Sequence, residues 1–118
     1  MTRREILVQA RDLISEREKW TKHAWTTEGY DRAPKFCAVG AIKKVVTGDG
    51  SPRNYYLQEE AIPVQDATHA LGEVLYGAKG AGMPWNGVPA YNDSHPHECI
   101  LELFDAAIER EEQNEQAT

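Results

Sequence analysis

The sequence predicts an all-α fold: four main helices packed around a central apolar helix at about residues 35–47, with two long ordered loops. Three observations carry this. Strand-like alternation is weak everywhere, apolar residues recur at three- and four-residue spacing in several segments, and one stretch, FCAVGAIKKVV at 36–46, has no polar side chain except a thiol from Cys37 to Ile42. In a chain that is 27% charged, such a stretch has to be covered on several sides. Pro34 or Lys35 suits its first turn and Gly48 its C-terminal cap. Gly40 in its middle costs about 1 kcal/mol relative to alanine, which is tolerable where another segment must approach closely.

The flanking elements follow in order. Thr2 and Glu5 have capping-box spacing, and the first helix is expected to run to about Glu18 with Ile6, Leu7, Ala10, Leu13 and Ile14 on its buried face. Residues 19–34 break the pattern but carry Trp20, Trp25 and Tyr30, too much aromatic surface to lie loose in water, so an ordered loop over the core is expected. Residues 49–54, DGSPRN, are turn chemistry, and 55–57 open a short helical turn. The third helix is expected from Pro63 to Tyr76, stopped by Gly77. Residues 78–90, AKGAGMPWNGVPA, read as a second loop pinned by Met83 and Trp85. Asn92, Asp93 and Ser94 are each good N-caps for a last helix from about His95 to Glu111, which buries Ile100, Leu101, Phe104, Ala107 and Ile108.

The 118 residues fit one domain, expected over 1–110, with a polar tail at 111–118 that frays. Nineteen acidic against thirteen basic residues give a net charge of −6, which argues against duplex nucleic acid as the main partner. Arg3, Arg4, Arg11, Arg17, Lys19 and Lys22 nevertheless gather into a local basic patch. Two cysteines make no disulfide framework, no apolar run is long enough for a membrane span, and a cytoplasmic protein with reduced thiols is expected.

Four constellations bear on chemistry. Cys37 at a helix N-terminus is placed where the dipole favours a thiolate, and His95 or His97 as base with Asn92 or Asp93 as orienter would complete a cysteine nucleophile. The plain alternative is a small buried hydrophobe. His95, His97 and Cys99, with Cys37, offer ligand types for zinc, but on a helix from His95 residues 95 and 99 share a face while 97 points the opposite way, and neither a metal nor a cofactor is expected. The glycines at 77–82 lack the strand and the Lys-Ser/Thr pair of a phosphate loop. Asn92 and Asp93 are the most directed polar pair in the chain, either capping the last helix or binding. The aromatic residues Trp20, Trp25, Trp85 and Tyr91 line a partner surface or act as lids on the core.

The motifs Cys37-Ala-Val-Gly40-Ala41, after a tryptophan-bearing loop, and Tyr91-Asn92-Asp93, before an amphipathic helix, resemble a family of small bacterial and phage proteins of unknown function. The likeness covers Trp20 to Ile108. That family often has tryptophan where Tyr91 stands, and its following segment is not histidine-rich. The resemblance implies a shared architecture and points to Cys37, Gly40, Asn92 and Asp93, without supplying a reaction. The functional expectation is a small, phage-related cytoplasmic protein that is non-catalytic and binds another macromolecule, a protein by preference. A Cys37-dependent hydrolase or transferase is the alternative, and a structural zinc module the second alternative.

Overall fold

The computed structural model describes residues 1–29, 33–52, 58–77 and 84–116, and for 58–60 and 84–86 the backbone alone. The regular elements among the described residues are helices: α1 (Arg3–Leu13), α2 (Ala38–Thr47), α3 (Gln58–Tyr76), α4 (Pro84–Ser94) and α5 (His97–Gln116), with a 3₁₀ turn at Arg17–Lys19. The apolar stretch is the central element as expected, since α2 packs against α1, α3 and α4. Val39, Ala41 and Ile42 are sealed from solvent among Leu7, Ile14, Val64, Leu71, Val88, Ile100 and Phe104.

The expected capping box on α1 is present, with Thr2 Oγ1 accepting the Glu5 amide and Glu5 returning to the Thr2 amide. α1 ends at Leu13 rather than Glu18. Beyond Ile14 the next five side chains are polar, so no buried face rewards another turn, and Ser15 folds back to the Asp12 carbonyl. α2 starts at Ala38 rather than Pro34 or Lys35 because residues 35–37 are claimed by the preceding loop. The Thr27 amide donates to the Lys35 carbonyl, Phe36 exchanges bonds with Lys19 and Thr21, and the Cys37 amide donates to the Trp25 carbonyl. Trp20 and Thr26 thereby bridge to Phe36 from two sides.

Two prolines misdirect the sequence reading. α3 begins at Gln58, five residues before Pro63, and Pro63 lies within it. A proline this near a helix start forfeits one amide bond, and the burial of Ala61 and Val64 offsets it. The stretch expected to be a loop at 78–90 is helical from Pro84, again with an internal proline, Pro89. Val88 and Asn92, one turn apart, are both buried, and α4, a helix beyond the four expected, is what carries Asn92 into the interior. Consequently the last helix starts at His97, and Asn92, Asp93 and Ser94 belong to the end of α4 instead of capping α5.

α5 continues to Gln116 through residues expected to fray. Cations on α1 hold it: Arg3 pairs with Glu111 at 2.9 Å, Arg4 with Glu115 at 3.4 Å, and Arg11 with Asp105. The expectations for Tyr30, for the turn at 53–57, for the glycine run at 78–83 and for the Trp85 side chain lie outside the described residues.

Gly40 has the close approach its cost implied. A β-carbon there would stand 1.8 Å from the Trp25 carbonyl oxygen. Alanine is the better helix former by about 1 kcal/mol, yet overpacking against backbone that is itself hydrogen-bonded outweighs it. Gly40→Ala is therefore expected to lower stability by roughly 2–4 kcal/mol in urea unfolding. A variant as stable as the parent would mean that the loop at 25 is free to move away.

Candidate functional site

The first amides of α2 have no partner inside the helix. Cys37 is the N-cap, and its Sγ accepts the Gly40 amide at 3.3 Å. The Ala38 amide donates across the molecule to Oδ1 of Asn92 at 3.1 Å. The same oxygen accepts the Trp20 indole N–H at 2.8 Å, while Nδ2 of Asn92 donates to the Thr21 carbonyl at 3.0 Å. With two donors on one side and a carbonyl on the other, the orientation of the amide is fixed by its partners. Asn92 is 1% exposed, so these bonds meet most of the hydrogen-bonding demand of a group that would be costly to bury alone.

Asp93 secures the adjoining loop. Its Oδ1 accepts the His23 amide at 2.7 Å, and His23 holds φ at 66°, a left-handed conformation uncommon for a residue with a β-carbon. Trp25 contributes its carbonyl to the Cys37 amide, and its side chain packs half-buried against the core, as do those of Trp20 and Tyr91. Tyr91 stacks on His95 with ring centroids 3.8 Å apart, and Nδ1 of His95 lies 3.0 Å from the Tyr91 carbonyl and 2.9 Å from Ser94 Oγ. Nε2–H of His97 donates to the Ile14 carbonyl at 2.6 Å, with its ring 5.4 Å from that of Trp20.

The fold thus brings Cys37, Asn92, Asp93, Trp20 and Trp25 to one end of α2, but in roles different from those a nucleophile needs. The Cys37 thiol is 3% exposed, and burial pushes it up to about 11, overriding the amides of Gly40 and Val39 that pull the other way. The expected lowering of this thiol by the helix terminus is reversed, because desolvation exceeds the dipole's effect. The imidazoles of His95 and His97 are committed to carbonyl or hydroxyl groups on either side of the junction between α4 and α5. Among the described residues, no three His, Cys, Asp or Glu side chains gather where a metal ion could sit.

Beside this corner opens a cleft of about 400 Å³ lined by Arg17, Trp20, Lys22, Pro96, His97 and Glu98. The sequence places Arg17 and Lys22 in a local basic patch with four other cations and gives Glu98 no role. The signal that separates them is which cations find carboxylates, and that requires the fold. A larger hollow of about 680 Å³ between α1 and α2 includes Leu13, Pro34, Phe36 and Val45, and its two lysines, Lys19 and Lys44, are already paired with Glu16 and Glu28.

The chain belongs to the family of unknown function DUF6197, which residues 1–110 match. No curated protein and no solved structure matches it. Among the described residues no helix is long and apolar enough to cross a membrane.

Two measurements probe this corner. Asn92→Asp keeps the acceptor for Trp20 and Ala38 but turns a carboxylate toward the Thr21 carbonyl and Asp93, so a loss of roughly 2–4 kcal/mol is expected at pH 7. Its carboxyl is raised in the folded state, so the penalty is present at neutral pH and shrinks as pH falls toward the unfolded value of about 4. A stability gap from the parent that stays constant between pH 7 and 4 would count against this account. For Cys37, the thiol is raised when folded, so its contribution is intact below about 9 and is lost as pH rises from there to about 11. The parent should lose roughly 2–3 kcal/mol more than Cys37→Ser across that window, and iodoacetamide at pH 8 should modify Cys99 but reach Cys37 only in denaturant.

Proposed function

We propose that the protein is a non-catalytic binding module and that the Trp20 cleft is its docking face for another protein. The observation that carries this reading is the state of the Trp20 indole. It is half-buried, fixed by its N–H to a buried Asn92 oxygen, and forms part of an open cleft. A tryptophan already held in one orientation gives up little conformational freedom on contact, which is why rigid aromatic anchors dominate protein interfaces. The thiol and the imidazoles named for catalysis serve the fold instead: Cys37 caps α2 from the interior, and His97 ties α5 to the end of α1. Cytoplasmic location and an origin in bacteria or their phages belong to the same reading. They rest on the cysteine usage and on the motif likeness.

Position-specific photocross-linking in cells that naturally make the protein tests this. A benzophenone amino acid at Arg17, Lys22 or Glu98 should capture a discrete protein, and the same group at Gln65 or Glu109, on other faces, should not. Capture that is absent at the cleft positions, or equal at all five, overturns the proposal.

A further inference from the structure

The basic patch does not survive folding as a patch. Of its six cations, Arg3 pairs with Asp66 and Glu111, Arg4 with Glu115, Arg11 with Asp105, and Lys19 with Glu16. Among the described residues only Arg17 and Lys22 of that set have no carboxylate within ion-pair distance, and both line the cleft. Lys22 Nζ stands 5.5 Å from the Trp20 ring centroid, which holds its charge beside the indole. Glu98 is the one acidic side chain of the lining, and it pairs with neither cation.

Resting on the docking face proposed above, we infer that what the cleft takes from its partner is a short acidic peptide segment, with carboxylates reaching Arg17 and Lys22 beside the indole. Complementarity of charge selects the anion, because in a chain of net charge −6 these two neighbouring cations have no ion-pair partner among the described residues. Two observations favour a peptide over a nucleic acid. Two cations neutralise too few phosphates to supply the counterion-release affinity on which non-specific nucleic-acid binding depends, and a long polyanion would be repelled on average by a chain of net charge −6. A hollow of about 400 Å³ admits a few side chains, and a short segment exposes only those to the rest of the field.

The test is a titration followed by backbone amide shifts, using an acetylated Asp-Glu-Asp-Glu amide peptide, its Asn-Gln-Asn-Gln counterpart and an oligothymidine ten nucleotides long. The acidic peptide should shift the amides of 17–22 and 97–99 and weaken as salt rises from 50 to 300 mM, and the neutral peptide should not bind. Arg17→Glu with Lys22→Glu should weaken binding by roughly tenfold or more, and Arg17→Gln with Lys22→Gln by less. Both positions are exposed, so an unchanged urea midpoint certifies the fold. Equal binding of the neutral peptide, indifference to the charge reversal, or tighter binding of the oligonucleotide at the same residues overturns the inference. If a cross-link from position Glu98 persists undiminished in the charge-reversed protein, the docking face stands and its acidic specificity falls. If the cleft positions cross-link to nothing, the docking face itself falls.

Discussion

One buried amide sets the geometry on which the rest of this fold depends. Asn92 joins three pieces of backbone or side chain from distant parts of the chain: the last turn of α4, the indole of Trp20 and the first amide of α2. Each partner is a group that would carry a desolvation cost if buried unpaired, so the arrangement is nearly all or nothing. An apolar residue of similar size at 92 would fill the same space but would orphan an indole N–H and a helix-terminal N–H together. The amide therefore fixes position as much as it contributes energy.

Around that point the loop at 19–27 is drawn down onto α2 until the Trp25 carbonyl rests where a side chain of residue 40 would otherwise be. The close contact explains both the glycine and the burial of the thiol. Cys37 lies beneath the loop, accepts an amide with its sulfur and is cut off from water, and it is the loop that decides between a reactive and an inert thiol. The other end of α2 is tied by the same kind of chemistry. The buried Lys43 donates to the Asp49 carbonyl at 2.9 Å, and the Thr47 hydroxyl donates to the Lys43 or Asp49 carbonyl while accepting the Asp49 amide. The most apolar helix of the chain is thus located by polar groups at its two ends.

Much of this was legible in the sequence, and the remainder was hidden for identifiable reasons. The capping box at Thr2, the apolar core of α2, the need for Gly40 and the buried face of α5 are encoded by local spacing, and local spacing is what a sequence displays. The sequence places Pro63 at the start of a helix and Pro89 in a loop, but burial of Ala61, Val64, Val88 and Asn92 outweighs the single amide bond each proline forfeits. That weighing depends on what covers each residue, which no window of sequence contains. Asn92 illustrates the consequence: with α4 unseen, its short amide looked like a cap for the next helix, whereas it completes a helix more than fifty residues earlier. The cleft was illegible for a similar reason, since Arg17 and Lys22 differ from Arg3 and Arg11 only in what lies opposite them.

The span of the Asn92 bonds bears on the order of assembly. Trp20 and Asn92 are 72 positions apart, and Ala38 and Asn92 are 54 apart. A helix whose first amide is completed by a residue so distant in sequence cannot reach its final capped state by local coiling. Closing a loop of that length costs entropy before any contact rewards it. α2 can flicker as a helix early, but the first amide of its N-terminal turn gains its partner only when α4 is in place.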